Sequence, residues 1–330
     1  MDSLEISQDS VKLKLLKKLL ISQEYISGET LANDLGISRT AIWKHIEQLR
    51  ESGYKIEAQP RQGYRLLSRP QQDLSLEEIG LCLKTSWMGH RLIYLSETAS
   101  TNDVAKQLAR QEAAPGTVVL AGHQTHGKGR LGRRWISPPD VNLYFSIVLR
   151  PNVSPSKAAV ATLVVAVAIV KAIREVAGIP ATIKWPNDIL CQGRKLVGIL
   201  TEMSADMDRV HHIVVGIGIN CNSDLTSLSN HLLAPATSIT LETGTIVARD
   251  QLLCCCLEQL EKYYSIWIEQ GFASIVDEWK RHSETLGKRI KVLVDDQIVE
   301  GTAVDLDQNG NLILNRENEI IRIIAGDVLV

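Results

Sequence analysis

The sequence predicts an α+β multidomain chain. A winged helix-turn-helix is expected over residues 1–69, a central mixed-sheet α/β domain over 75–285 and a small SH3-like β-barrel over 286–330. Three observations carry this. The first seventy residues hold three short helical patterns followed by a basic hairpin. The middle alternates apolar strands and helices around a stretch with three glycines and four cations in nine residues, Gly127–Trp135. From Gly287 the helical period gives way to short strands. A length of 330 residues suits two or three domains, and 45% hydrophobic with 22% charged residues is the composition of an ordinary globular protein, which excludes a disordered chain.

Taken in order, Ser10–Ser22 sets Leu13, Leu16, Leu19 and Leu20 against Lys14, Lys17 and Lys18 at helical spacing. Ser27 is placed to cap a short second helix ending at Leu35. Gly36-Ile37-Ser38 then makes a tight turn, with Ser38 capping a third helix, Arg39–Ser52. This is helix-turn-helix spacing. The outer face of the third helix offers Arg39, Thr40, Trp43, Lys44 and Gln48, which can reach bases or phosphates. Tyr54–Ala58 and Tyr64–Leu67 read as two strands around Gln59–Gly63, a wing with Arg61 at its tip.

Charge supports this reading locally. The whole chain carries −2, but residues 37–69 carry 2 Lys and 5 Arg against 3 Glu, a net +4. A small DNA-reading module has such a local excess. The alternative is a purely structural three-helix module. Among the six cysteines no C-x-x-C pair occurs, so a zinc or redox site has little support and no metal ligands are assigned. Cys254, Cys255 and Cys256 fall in a helical pattern and read as small buried hydrophobes in a reduced cytoplasm. Ala158–Val170 is apolar but too short to span a bilayer, so a core helix and no membrane are expected.

Pro70–Ser75 reads as a linker. In the central domain a strand ends at Tyr94–Leu95, and Glu97-Thr98-Ala99-Ser100-Thr101-Asn102 leads into a helix, Asp103–Arg110. Ser100 or Thr101 reads most simply as its N-cap. Gly116–Gln124 and Asn142–Arg150 read as strands flanking the glycine-rich loop. The loop fits G-x-G-x-x-G, but Arg133–Pro139 cannot continue as the helix that a dinucleotide fingerprint needs. A glycine turn with solvated cations is the plainer alternative. Lys184-Trp185-Pro186-Asn187-Asp188 and Arg194-Lys195-Leu196-Val197-Gly198-Ile199-Leu200 follow. Val197–Glu202 and Val210–Asn220 read as paired strands, and Gly216 and Gly218 point to close backbone approach or a bulge. Leu225–Thr237 lacks periodicity and is expected to form a mobile loop over the site. Arg249–Glu269 and Phe272–His282 read as helices.

The order Gly-Lys-Gly-Arg-Leu-Gly-Arg, Lys-Trp-Pro-Asn-Asp, Arg-Lys-Leu-x-Gly-Ile-Leu resembles the biotin–protein ligases. With its N-terminal region the chain is similar to the bacterial ligases that double as biotin operon repressors. One departure is Lys128, where the family usually has Arg; Lys keeps the charge but loses the planar fork.

The resemblance implies biotin and ATP as substrates, Mg2+ with the nucleotide, and a biotin carboxyl carrier protein as acceptor. It also implies operator DNA of biotin synthesis genes and a ligand-promoted homodimer. It places Ser100, Thr101 and Asn102 on the ureido ring, with Gln124, Gly127, Lys128, Gly129, Arg130 and Lys195 also at biotin. Lys195, Arg130 and Asp188 are the catalytic candidates, and Ser38, Arg39, Thr40, Trp43, Lys44 and Arg61 the DNA-reading ones. The chemistry fits, since a carboxylate must become a mixed anhydride before an amine can take it, and that step needs charge stabilisation and shelter from water. Asp188 is open between accepting the amine proton, holding a metal and orienting Lys184. Trp185 is open between packing on the ligand and lying in the core. A lipoate ligase and a non-enzymatic ligand sensor are the rival readings; the Ser-Gly-Gly-Gly-type motif of lipoate ligases is absent.

Beyond Gly287, strands are expected at Ile290–Val294, Ile298–Val304, Leu312–Leu314 and Ile320–Ile324. Asp305-x-Asp307-x-Asn309-Gly310 opens like a calcium loop, but its twelfth position is Arg316 and its flanks are strands, so Asn309-Gly310 reads as a hairpin turn.

Overall fold

The computed structural model describes residues 3–8, 10–22, 24–70, 74–225, 235–317 and 319–329. Most of the expected loop between 225 and 237 therefore lies outside the described residues.

The chain opens with β1 (Ser3–Ser7), which the sequence did not suggest. Then come α1 (Val11–Ile21), α2 (Gly28–Leu35) and α3 (Arg39–Glu51), followed by the hairpin β2 (Lys55–Gln59) and β3 (Gly63–Ser68). Ser27 and Ser38 cap as expected, accepting from the Thr30 and Ala41 amides at 3.0 and 3.2 Å. Gly36 ends α2 in the left-handed region at φ 66°. Leu16, Leu31, Ile42, Ile46 and Leu49 close a small core of their own.

The helix α4 (Leu76–Cys82) connects this unit to the central domain. That domain contains β4 (Arg91–Thr98), α5 (Thr101–Arg110), β5 (Val118–Gln124), β6 (Leu143–Leu149), α6 (Pro155–Ala158) and α7 (Ala161–Ala177). It continues through β7 (Ala181–Lys184), β8 (Asp188–Cys191), β9 (Arg194–Ala205), β10 (Val210–Ile219), α8 (Ile239–Thr243), α9 (Arg249–Gln270) and α10 (Ala273–Arg281). The strands make one mixed sheet in the order β1-β4-β5-β6-β10-β9-β8-β7, with only β4 and β5 parallel. Pro155–Ala177 is long and apolar enough to cross a membrane, but 72% of its apolar window is buried inside the protein, against α9 and the sheet.

The C-terminal strands β11 (Arg289–Val294), β12 (Gln297–Leu306), β13 (Leu312–Arg316), β14 (Glu319–Ile323) and β15 (Asp327–Leu329) form a five-stranded antiparallel sheet. The first four match the expected strands and β15 is additional. The turn after β12 has Gly310 at φ 78°. The Asp307 carboxylate accepts from the Asn309 and Asn311 amides at 2.9 Å, so the calcium-like sequence is spent on the hairpin.

Three long-range features were not foreseen. β1 pairs antiparallel with β4, so the chain starts in the central sheet before entering the winged helix. The buried Glu77 carboxylate on α4 takes Lys12 of α1 at 2.7 Å and the Ser52 hydroxyl at 3.1 Å, while Tyr54 donates to Glu78 at 2.9 Å. Cys82 and Cys254 are joined by a disulfide across 172 residues, which corrects the expectation of free thiols. Cys191, Cys221, Cys255 and Cys256 keep their thiols and are buried.

Glu261 of α9 fixes the turn before β4 by accepting the Ser86, Trp87 and Met88 amides at 2.7, 3.0 and 2.9 Å. Burial alone would raise its pKa, but the three N–H groups outweigh it and the net shift is downward. The contribution to stability is therefore present above the ordinary carboxylate range and is lost as pH falls through the lowered folded value. Glu261→Gln should destabilise the protein by about 1–3 kcal/mol at neutral pH, with a smaller penalty in acid, as thermal unfolding across pH would record.

Candidate active site

Leaving β5, the chain folds the glycine-rich stretch into a closed hairpin. Lys128 and Arg134 bridge, the Gly129 amide donates to Arg133 O at 2.7 Å, and Trp135 N donates to Gly127 O at 2.9 Å. At the tip, Arg130–Gly132 make one tight turn, with Leu131 at φ 54° and 74% exposed. The hairpin hangs over the sheet where β9 and β10 carry Gly198 and Gly218. A Cβ at these two positions would stand 2.8 and 2.6 Å from the Trp135 ring, so the glycines let the indole lie on bare backbone. At Gly218 this is the close approach, rather than the bulge, that the Val-Val-Gly-Ile-Gly pattern offered.

Beneath the hairpin is a cavity of about 530 Å³. Ser100, Thr101, Asn102, Gln124, Lys128, Gly129, Arg130, Asp188 and Lys195 all line it, residues drawn from five different segments. Gly127 sits beside them, and a Cβ there would meet Trp135 O at 2.5 Å. Leu225, Pro235 and Ala236 border the same space.

One end of the cavity is neutral and hydrogen-bonding. Ser100 stands at the N-cap position of α5 but makes no capping bond with its side chain, so its hydroxyl is not committed to the helix. Thr101 donates its amide to Gln124 Oε1 at 2.9 Å, and Gln124 Nε2 donates to Ser137 at 3.1 Å. Asn102 faces the cavity with its amide engaged at both ends by Ser146 and Glu202.

The other end is cationic. Lys195 on β9 and Asp188 on β8 are 2.7 Å apart. Asp188 Oδ1 is out of line for a hydrogen bond, so the contact is an ion pair only. Lys195 Nζ also lies 5.6 Å from the centre of the Trp135 ring. Lys184 joins them; burial lowers its pKa, with Lys195 and Arg133 adding to the effect and Asp188 opposing it. Arg130 donates to Asn187 Oδ1 at 3.2 Å and to Gly326 O at 3.3 Å, and pairs with Asp327 at 3.2 Å. Arg133 pairs with the same carboxylate. Lys128 turns to Asp103 at 2.7 Å.

Sequence reasoning did not select Trp135, Lys184, Asp327 or Glu202. The first two stood inside the quoted motifs, which was a usable signal. Asp327 lies on β15, and nothing near it in the chain marks it. Trp185 was left open; it is 2% exposed, belongs to the main core and donates Nε1 to Gly310 O at 3.2 Å, which ties the motif to the C-terminal sheet.

The DNA-reading candidates lie on the separate N-terminal unit. Ser38, Arg39, Thr40, Trp43 and Lys44 are exposed along the start of α3, and Arg61 is exposed in the wing at φ 67°. Trp43, at 55% exposure, is a large apolar side chain left outside the small core.

Comparison with known proteins agrees with this architecture piece by piece. Residues 94–220 match the model of the biotin/lipoate A/B protein ligase family, 11–65 an HTH domain, and 285–330 the biotin protein ligase C-terminal domain. The chain is 41% identical over 305 residues to the bifunctional ligase/repressor BirA of Bacillus subtilis, covering 92% of this chain and 94% of that one. Its likeness to the protein of the same name from Escherichia coli is 29% over 98% of both chains. Among solved structures, the biotin protein ligase of Aquifex aeolicus in complex with biotin and ATP superposes with a TM-score of 0.63 at 30% identity, over 72% of this chain and 97% of that one. The chain belongs to the biotin–protein ligase family, among the members that carry an N-terminal helix-turn-helix and double as repressors.

Proposed function

We infer that the protein is an ATP-dependent biotin–protein ligase that forms biotinyl-5′-AMP, transfers biotin to a lysine of an acceptor protein, and represses transcription through its winged helix. The observation that carries this is the polarity of this cavity, with neutral hydrogen-bonding groups at one end and Arg130, Lys184 and Lys195 at the other. A neutral cyclic urea suits the first and a carboxylate meeting an α-phosphate the second. ATP–pyrophosphate exchange tests it: biotin should drive exchange, and lipoate or no acid should not. Exchange driven by lipoate, or by neither acid, would favour one of the rivals.

The roles we propose follow from placement. The biotin carboxylate oxygen attacks the α-phosphorus and pyrophosphate leaves. Lys195 and Arg130 offset the negative charge gathered there, acting in a site sheltered from water. The acceptor amine then attacks the anhydride carbonyl and AMP leaves. Asp188 is placed to take the amine proton once Lys195 has turned to the ligand. Ser100, Thr101 and Gln124 hold the ureido ring, with Asn102 behind them. Gly127 and Gly129 let the hairpin backbone approach the ligand, and Lys128 adds charge from its rim. The carboxylates lining the cavity, Asp188 and Asp327, are both paired with cations, which does not suit a resident metal. Mg2+ is accordingly assigned to the nucleotide phosphates.

We further propose that residues 1–69, 75–285 and 286–330 are the three functional units, in a cytoplasmic protein, with a biotin carboxyl carrier protein as acceptor. A chain beginning near residue 70 should lose operator binding and keep measurable adenylate synthesis, because the proposed catalytic groups lie beyond residue 99. It should also melt at lower temperature, since β4 loses its edge strand and Glu77 loses Lys12. Loss of all adenylate synthesis in a folded truncation would show that the N-terminal unit contributes to the site.

One winged helix reads a short half-site, and a net charge of +2 over residues 1–70 gives little phosphate attraction. Two linked half-sites gain effective concentration, so repression should require a homodimer on the operator of biotin synthesis genes. The Thr201–Ala205 end of β9 extends past β8 and carries the half-exposed Met203, which supports a surface for a second copy. Bound adenylate would favour that dimer by ordering the cavity rim. Sedimentation and operator titration with no ligand, with biotin, and with biotin plus ATP should give rising affinity; equal values in all three states would leave the two activities uncoupled.

A further inference from the structure

Behind the ureido end of the cavity runs a chain of buried hydrogen bonds whose direction is set from outside it. Glu202 on β9 is paired with Lys106 at 2.7 Å, and its second oxygen lies 2.8 Å from Asn102 Nδ2. A carboxylate paired with an ammonium can only accept. The Asn102 amide is thereby oriented, with Nδ2 toward Glu202 and Leu200 O, and Oδ1 toward Ser146. It cannot move off this contact toward the sheet, because it rests on Gly216, where any Cβ would overlap Asn102 Oδ1.

The polarity then propagates by proton counting. Ser146 Oγ lies 2.6 Å from Asn102 Oδ1 and 2.7 Å from Thr101 Oγ1. Asn102 Oδ1 has no proton, so the one proton of Ser146 must go to it. The short contact between Ser146 and Thr101 is then filled by the Thr101 proton. Gln124 Oε1, 3.2 Å from Thr101 Oγ1, already accepts the Thr101 backbone amide at 2.9 Å and is the more distant of the two inward acceptors for the Thr101 proton. Thr101 Oγ1 is left with its donor spent inward and only lone pairs to offer. Ser146 and Thr101 are 0% and 3% exposed, so water is poorly placed to reverse the order.

We propose that Glu202 is a positioning residue that sets the hydrogen-bond polarity of the ureido end, so that Thr101 Oγ1 accepts and selects a ligand bearing an N–H there. This rests on the biotin assignment above. Glu202→Gln removes the constraint, because a carboxamide can donate as well as accept. Asn102 could then flip, Ser146 could turn its proton to Thr101, and the site would lose its preference for an N–H.

The test uses the full chain, biotin, and the two biotin analogues in which one ureido N–H is replaced by oxygen. Wild type should form adenylate with biotin and reject at least one analogue, its KM higher by roughly tenfold or more. In Glu202→Gln the biotin KM should rise roughly tenfold and the rejection should fall to within about threefold, with kcat changed by less than about threefold. Ser146→Ala, which cuts the relay without touching Glu202, should give the same loss of rejection. Lys106→Met, which leaves the carboxylate as acceptor, should keep the rejection. If Glu202→Gln and Ser146→Ala retain wild-type rejection while folded, as thermal unfolding reports, the proposal is overturned. So is it if kcat falls with KM unchanged, or if Lys106→Met behaves like Glu202→Gln. Failure of the biotin reading would look different, since wild type itself would then show no biotin-dependent exchange.

Discussion

Lys195→Ala is expected to slow biotinyl-adenylate formation by more than about tenfold, over ~1.4 kcal/mol of transition-state stabilisation. The ammonium stands between Asp188, at 2.7 Å, and the face of Trp135, and its side chain is 28% exposed. Its charge offsets Asp188 and, in the proposed reaction, is needed where the carboxylate and phosphate meet. Its removal costs twice, by withdrawing that charge and by leaving Asp188 to repel the incoming anions. Lys184 is close enough to Asp188 to respond, yet burial already disfavours its charge, so it is a poor substitute. Single-turnover adenylate synthesis at saturating biotin and ATP is the measurement, with thermal unfolding as control. A folded variant with near wild-type rate would remove Lys195 from the mechanism.

Arg130→Gly should slow formation of the intermediate, and its larger effect should be to release it. The guanidinium joins the hairpin to Asn187 after β7 and to Gly326 and Asp327 of the C-terminal sheet, 196 residues away. Glycine removes all three contacts and adds backbone freedom at a tip where Leu131 already adopts a left-handed conformation. The hairpin should open more often, and biotinyl-AMP should leave at least about tenfold faster, acylating exposed lysines in solution. Asp327→Asn weakens the same attachment from the other side and should shift the dissociation rate in the same direction by less, because the Asn187 and Gly326 contacts survive. An unchanged dissociation rate in Arg130→Gly would make the residue structural.

Much of this was legible in the sequence because it is written locally. Ser27, Ser38 and Gly36 announce the helix boundaries through capping and left-handed backbone chemistry. The strands flanking the glycine-rich loop are read from their apolar runs, and Asn309-Gly310 from its turn type. The candidate residues at the cavity came as motifs, and they do converge on one space. Ser100 shows the limit of such reading. Its position is that of an N-cap, but whether its hydroxyl serves the helix or a ligand depends on what faces it. Asn102 shows the same limit, since its amide is spent on Ser146 and Glu202 rather than left free.

By itself, then, the sequence determined the order of the three units, the period of most of the helices and strands, and the residue types brought to the cavity. Those follow from interactions a few residues apart, which leave a periodic or turn signature in the chain. The tertiary structure alone decided that β1 closes the edge of the central sheet, that Cys82 meets Cys254, that Asp327 holds Arg130 and Arg133, and that Glu202 orients Asn102. Each joins partners from about ninety to almost two hundred residues apart, and a five-residue strand or a single carboxylate carries no local mark of its partner, because what selects it is the space left when the rest of the chain has packed.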